Sequence, residues 1–471
     1  MQYISTRGQA PQIGFCDVLL AGLARDGGLY VPETWPKLGE SAVGAAVGSA
    51  KNSAAASYAQ KAAGIMSPFV GAEIDQQVFE KLCAEAYSTF RHPEVAPLVE
   101  IGPNEYLLEL FHGPTLAFKD VALQLVGKLF DYVLTQRNQR VMIVGATSGD
   151  TGGAAFDGVA ACRNVDIVML YPNNRVSDVQ RRQMTTLTAP NVHAVSVDGT
   201  FDDCQDLVKA MFNDQKFRDA NQLSAVNSIN WVRVMAQVVY YVTAIEKLGR
   251  SAVFSVPTGN FGNVLAGWIA KQMGAQIEGF VVASNTNDIL TRFFESKQMA
   301  ANEVVPTLSP SMDIQVSSNF ERLLFETNNR DGAETAKQLT NFRAKGKLEV
   351  VASAYQKWFE GVFVGRRCND EQTLATMQDV YKQSGMLIDP HTAVGLSAAR
   401  QSAGVNYPKN MPMITLATAH PAKFPDAVRR ATGQTPKLPE HLADLMSRPE
   451  RSVSLPNDLG AVQAFVASCR K

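Results

Sequence analysis

The sequence predicts an α/β fold built on buried parallel-type strands, and three observations carry that prediction. Short, nearly continuous apolar runs recur at 141–144, 167–170, 252–256, 280–283 and 413–417, with helical stretches between them. Strands that are apolar on both faces belong to sheets covered by helices on both sides. Two of these runs lead straight into glycine-rich turns followed by small-residue helices. The composition, 46% hydrophobic and 19% charged over 471 residues, suits a soluble globular chain of about two to four domains.

Taken in order, residues 1–35 open with short strand-like pieces around the turn Asp26-Gly27-Gly28. Residues 41–57 are mostly Ala, Gly, Ser and Val, with little bulk for a core, and predict a peripheral helix or loop. Val78, Leu82, Ala86 and Phe90 fall at helical spacing and predict an amphipathic helix over 76–90. The alternation of apolar runs and helices begins beyond residue 100. Residues 431–471 carry four prolines and predict a tail that wraps the surface.

The formal net charge of −1 gives no electrostatic reason to expect nucleic acid or an anionic membrane as a partner. The six cysteines are scattered without a Cys-x-x-Cys pair, which predicts free thiols in a reducing compartment and no zinc site. No apolar run reaches the ~18 residues of a membrane span. The opening residues have neither the apolar core of a secretory signal nor the Arg-rich pattern of an organellar presequence, so a cytoplasmic location is expected.

Chemistry centres on Phe111-His112-Gly113-Pro114-Thr115-Leu116-Ala117-Phe118-Lys119-Asp120. A Gly-Pro turn stops the preceding strand and leaves Lys119 near the start of a new helix. Partly covered by apolar neighbours, such a lysine can have a depressed pKa and form a Schiff base with a carbonyl. An arbitrary lysine in a first helical turn is simply a surface charge, so Lys119 gains meaning only from its company.

That company is the two glycine-rich turns. The first, Gly145-Ala146-Thr147-Ser148-Gly149-Asp150-Thr151-Gly152-Gly153, follows a strand and opens a helix near Thr151. Free N–H groups and hydroxyls there suit a carboxylate, although a plain strand–helix turn would look much the same. The second, Gly259-Asn260-Phe261-Gly262-Asn263, follows the run 252–256. Gly and Asn tolerate positive φ and build backbone nests for phosphate. Neither a Gly-Lys-Ser/Thr ending nor a dinucleotide fingerprint is present, so the phosphate need not be a nucleotide's. A Schiff-base lysine, a carboxylate turn and a phosphate nest together describe a pyridoxal phosphate site for an amino acid.

On these motifs the chain resembles the threonine synthases. Further matching pieces are Asn227-Ser228-Ile229-Asn230-Trp231-x-Arg233, Asp389-Pro390-His391-Thr392-Ala393-Val394-Gly395 and Ala417-Thr418-Ala419-His420-Pro421-Ala422-Lys423-Phe424, with Tyr3-x-Ser5-Thr6-Arg7-Gly8 at the start. Each motif is weak alone; their number and order, from residue 3 to 424, are specific. The resemblance implies a fold-type II pyridoxal phosphate enzyme (tryptophan synthase β-like). Its implied divisions are an N-terminal domain (1–95), a larger cofactor-binding α/β domain (96–130 and 251–430), a smaller α/β domain (131–250) and a C-terminal tail (431–471).

The resemblance also implies roles. Lys119 would carry pyridoxal 5′-phosphate and move protons; Gly259, Asn260, Phe261, Gly262 and Asn263 would bind the cofactor phosphate; Thr418 would sit by the pyridine nitrogen. Ser148, Gly149 and Thr151 would hold the substrate carboxylate, and Asp150 would border the cofactor's 3′-oxygen. Many fold-type II relatives carry Asn at the Asp150 position, whereas the threonine synthase branch tends to have Asp. Asn230 and Arg233 are candidates for the phosphate of O-phospho-L-homoserine, since a guanidinium binds phosphate in bidentate fashion; Lys423 and Arg292 rank below them. His391 and His420 fit core or supporting positions as readily as catalytic ones. Within the resemblance a phospho-lyase releasing 2-oxobutyrate, or a non-catalytic sensor, stays open. The small-molecule enzyme is expected as a monomer or homodimer.

Overall fold

The computed structural model describes residues 1–38 and 56–470. Most of the 41–57 segment therefore lies outside the described residues. Near its end, Ser57 caps the helix Tyr58–Val70 in a reciprocal capping box with Gln60. The helix expected at 76–90 runs Gln76–Tyr87, its start fixed by the Asp75 carboxylate accepting from the Gln77 and Val78 amides.

At the N-terminus, β1 (Tyr3–Ser5) pairs antiparallel with β2 (Tyr30–Pro32). Between them Asp26 organises the predicted turn: Oδ1 accepts from the Gly28 amide and the Ser5 hydroxyl, and Oδ2 from the Gln9 and Ala10 amides. An Asp side chain that ties its own backbone two residues on is why Asp-Gly turns so readily.

Two parallel sheets form the body. In the larger, β3 (Leu98–Gly102), β4 (Glu105–Glu109), β9 (Ala252–Pro257), β10 (Ile277–Ser284), β13 (Phe363–Arg367) and β14 (Met413–Ala417) lie in the order β13-β10-β9-β14-β4-β3. Its pairs are parallel except the β3–β4 hairpin. The smaller contains β5 (Val141–Ala146), β6 (Val165–Pro172), β7 (Val192–Val197), β8 (Leu223–Ser224) and β15 (Val453–Leu455), parallel throughout, in the order β15-β7-β6-β5-β8, and β11 (Gln298–Ala300) pairs antiparallel with β12 (Lys347–Glu349) apart from both sheets. All eight residues of β6 and all six of β9 are buried, as central strands covered by helices must be.

The edge strand β15 (Val453–Leu455) comes from the segment expected to wrap the surface, and here the expectation is corrected. β15 joins β7, and the following helix Leu459–Ser468 buries Val462 and Val466 against Cys204, Leu207 and Met211. Apolar residues at 453–466 outweigh the prolines that suggested a loose tail.

The helix Lys119–Arg137, between the sheets in sequence, packs on the helix Asp150–Val159. Their approach is close because both are glycine at the crossing. A Cβ at Gly127 would lie 1.8 Å from the Gly158 carbonyl oxygen, and one at Gly158 would lie 2.5 Å from that of Leu123. Backbone cannot yield as a side-chain tip can, so Gly127→Ala must separate the helices that carry Lys119 and Asp150. Overpacking of this kind costs about 1–3 kcal/mol, and the urea midpoint of unfolding for Gly127→Ala should fall accordingly; an unchanged midpoint would disprove so tight a crossing.

Candidate active site

Lys119 is held at the first position of its helix by pairing in the loop before it. The Leu110 amide donates to the Ala417 carbonyl, Phe118 to Thr418 and His420 to Leu116, so residues 110–118 run alongside the end of β14. Leu116 adopts φ 64°, a left-handed conformation that costs a branched residue of order 1–3 kcal/mol. Its side chain is buried among Val179, Leu442 and Leu445, which holds the strained turn in place. Asp120, fully buried, accepts from the Thr115 amide (2.8 Å) and hydroxyl (2.5 Å). Burial pushes its carboxyl up to about 7 against the lowering effect of those two bonds.

The Lys119 ammonium reaches Asp150 Oδ2 at 3.3 Å and lies 4.6 Å from the Phe118 ring centroid. Asp150 begins the helix after β5, where Gly149 takes φ 136° and a Cβ would strike the Gln180 side chain. The Thr147 hydroxyl accepts from the Gly149 and Gly152 amides, closing this turn from below, while Ser148 and Thr151 remain partly exposed. Asp150 Oδ1 accepts from Gln180 Nε2 (2.8 Å) and pairs with the Lys423 ammonium at 3.0 Å. Lys423 is fully buried and also donates to the Thr115 carbonyl (2.7 Å) and Gln183 Oε1 (2.8 Å).

The charges in this cluster work against one another. Burial lowers the Lys119 pKa, Asp150 raises it, and the Lys423 and Arg233 cations lower it again; the result is below the ordinary lysine value. For Asp150, burial would raise the pKa, but Lys423, Lys119 and Gln180 outweigh it and hold the carboxyl far below the usual range. A desolvated amine with other cations close by is the environment that activates a lysine nucleophile.

The second loop lies beyond β9. Phe261 takes φ 62° at the N-cap of the helix Gly262–Met273 and anchors the turn by packing on Phe320 and Phe363. The Gly259 carbonyl accepts from the Ser317 hydroxyl, and the Asn260 carbonyl from the Asn319 amide and side chain. Asn263 Oδ1 accepts from the Tyr240 and Tyr241 hydroxyls, while its Nδ2 is buried with no partner among the described residues. An orphaned buried donor at a helix N-terminus, next to backbone too close to Ser311 for a Cβ at Gly259, fits a phosphate group. The residues present thus fit pyridoxal phosphate, with Lys119 as its anchor and buried Thr418 at the end of β14.

Arg233 and Asn230 sit together at the start of the helix Trp231–Leu248 but are placed differently. Arg233 is buried and donates from one terminal nitrogen to the Val226 carbonyl, and its Nε has no hydrogen-bond partner among the described residues. Burial lowers its pKa to about 10. Asn230 has no exposed surface: Oδ1 accepts from the Val232 amide and Nδ2 donates to the Leu19 carbonyl. It caps the helix that carries Arg233. Arg292 is engaged by Asp288 at 2.8 Å.

His391 Nδ1 faces Asp389 Oδ1 (2.9 Å) and its Nε2 accepts from the Ser311 amide (3.2 Å). That acceptor role places the proton on Nδ1 and makes His391 a brace for the loop behind Gly259. His420 accepts from the Ala422 amide at Nδ1. The residues the sequence passed over are Gln180 and Gln183, three apart on the helix Asp178–Thr185 and both buried. Two glutamines on one helix face, opposite Arg181 and Arg182, were the available signal.

Family models match along the chain: "Threonine synthase N terminus" at residues 2–87, "Pyridoxal-phosphate dependent enzyme" at 91–344 and "Threonine synthase, C-terminal" at 392–466. The chain is 53% identical to a threonine synthase of Pseudomonas aeruginosa, covering 99% of this chain and 98% of that one. A pyridoxal phosphate-bound threonine synthase structure from Brucella melitensis superposes with a TM-score of 0.94 at 50% identity, covering 100% of both chains. The yeast enzyme superposes at 0.91 with 38% identity, over 99% of this chain and 98% of that one.

Burial lowers the His420 pKa to about 4, helped by the charge of His112. With the folded value below the unfolded ~6.5, the unfolded state binds more protons in between. Stability is therefore full above pH 6.5 and is lost as pH falls toward 4, by about 3 kcal/mol for this group. His420→Asn keeps the cap and should flatten that slope in urea unfolding measured from pH 4 to 7; an unaltered slope would assign it to other groups.

Proposed function

The chain belongs to the threonine synthase family of pyridoxal phosphate-dependent enzymes, and we propose that it converts O-phospho-L-homoserine and water to L-threonine and phosphate. The single observation that carries the reading is the buried ion pair between Lys119 and Asp150 of the first glycine-rich turn. When bound, pyridoxal phosphate supplies an electron sink for charge developing beside the substrate amino group. Everything else falls to the side chains.

Lys119 would take the protons at Cα and Cβ and return one at Cγ, which becomes the methyl group as the phosphate leaves, and one at Cα. A lysine with a lowered pKa can do both near neutral pH. Gly259 to Asn263 would hold the cofactor phosphate, Thr418 would offer a neutral hydroxyl to the ring nitrogen, and Asp150 would lie on the side of the 3′-oxygen. Ser148, Gly149 and Thr151 bind the substrate carboxylate through hydroxyl and amide donors. Arg233 meets the substrate phosphate, and Asn230 orients it by capping its helix. Water then adds at Cβ after the γ-phosphate leaves.

The division into domains 1–95, 96–130 with 251–430, and 131–250, the last joined by the strand Val453–Leu455, would put the reaction between the two sheets. A cytoplasmic enzyme, monomeric or homodimeric, agrees with six unpaired cysteines.

The test is an assay with O-phospho-L-homoserine that follows phosphate and identifies the organic product. Threonine and phosphate should appear in equal amounts; 2-oxobutyrate in place of threonine would make the enzyme a phospho-lyase, and no phosphate would exclude both. Lys119→Ala should lower kcat at least ~1000-fold. Arg233→Met should raise KM about 10–100-fold, as expected for loss of a charge-assisted phosphate contact.

A further inference from the structure

Lys423 ranks in the sequence as a weak candidate for the substrate phosphate, yet its ammonium has no exposed surface. Two hydrogen bonds and one ion pair, to Thr115, Gln183 and Asp150, occupy its three donors. Thr115 lies on the loop before Lys119, while Gln183 and Asp150 lie on helices beside the smaller sheet. The loop end of this arrangement is fixed by Asp120 through both polar groups of Thr115, and Gln183 donates back to the same Thr115 carbonyl at 3.0 Å. The ammonium therefore has one place to be.

We propose that Lys423 is a positioning residue: its fixed positive charge keeps Asp150 ionised and turned toward Lys119, so that Lys119 can lose its proton without leaving a buried carboxylate unpaired. The inference rests on Lys119 being the cofactor lysine. Were Lys119 the only cation beside Asp150, its deprotonation would strand a buried negative charge, which is costly. Lys119 would then stay protonated and unreactive, or Asp150 would take its proton. With Lys423 at 3.0 Å from the other carboxylate oxygen, Asp150 keeps a partner in either state of Lys119. The Asp150–Lys423 pair is net neutral, and so presents to Lys119 the charge that the single Asn of many fold-type II relatives presents. The remaining charged or titratable groups facing the cluster are Arg233, toward Lys119, His391, toward Asp150, and Asp120 and His420, toward Lys423; all four are retained in the test below.

A charge cycle on the full-length chain examines this. The readout is the pH dependence of the rate at which added pyridoxal phosphate is captured, followed by its visible absorbance and located at Lys119 by borohydride reduction and peptide mass. Capture requires the neutral amine, so its half-maximal pH follows the Lys119 proton. Lys423→Met should move that pH up by about one unit, a tenfold slower capture at neutral pH. Asp150→Asn, which leaves two facing ammoniums, should move it down. The double variant should return close to the wild type, and Lys423→Arg, which keeps the charge, should stay there.

A residue that merely filled space would alter melting temperature and leave the order of these midpoints alone. Equal midpoints in all four variants would overturn the proposal, as would a double variant no different from Asp150→Asn. That last comparison holds even if Lys423→Met alone does not fold, because the double variant carries no unpaired buried carboxylate at this position. Absence of label from Lys119 in the wild type would instead overturn its assignment as the cofactor lysine.

Discussion

A carboxylate buried between two ammoniums is the constraint on which this active site depends. Asp150 retains little exposed surface, and an unpaired charge there would be untenable. Its two oxygens are therefore shared out, one to Lys119 and one to Lys423 and Gln180. Each partner comes from a different element: the helix following the β4 loop, the segment after β14 and the helix after β6. Any relative movement of these elements would break a buried ion pair. The electrostatics thus define one relative placement of the two sheets as well as the reactivity of one lysine.

Local strain serves the same placement. Leu116 and Phe261 are both left-handed although neither is glycine, and both lie in loops that bracket the site. Each is paid for by an apolar side chain inserted in a core, with Leu116 in a small cluster at Val179 and Phe261 among phenylalanines. Glycine at either position would relieve the strain but remove the anchor. Glycine is used instead where nothing else fits, at the Gly127–Gly158 crossing that sets how near Lys119 and Asp150 come.

The second loop shows how a site can be built with a vacancy in its hydrogen bonding. Tyr240 and Tyr241 fix Asn263 through its oxygen, which leaves the amide nitrogen aimed and unmatched. A ligand with a spare acceptor gains the whole benefit of that bond, because the protein has already borne the desolvation. The neighbouring Arg322 is buried and spends its donors on Tyr30, Asn319 and Ile229 carbonyl or amide oxygens. It ties the N-terminal strands to this loop, so a segment remote in sequence stiffens the Gly259–Asn263 turn.

What the amino-acid order determined by itself was whatever rests on neighbours along the chain. The apolar runs fixed β5, β6, β9, β10 and β14, and the glycine-rich turns marked both site loops. The placement of Lys119 at a helix start followed from Gly113-Pro114. Tertiary structure alone decided the partners across the cleft. Nothing near Lys423 in the sequence reveals that it meets Asp150, 273 positions away and on another sheet's helix, or that the Asn230 amide donates to the Leu19 carbonyl. The prolines of 431–471 likewise hid a strand whose reason for existing is the open edge of β7. Periodicity and turn chemistry are short-range and legible in one dimension. The pairing of buried charges and the filling of a sheet edge depend on which surfaces the fold brings together, and that information exists only once the chain has closed on itself.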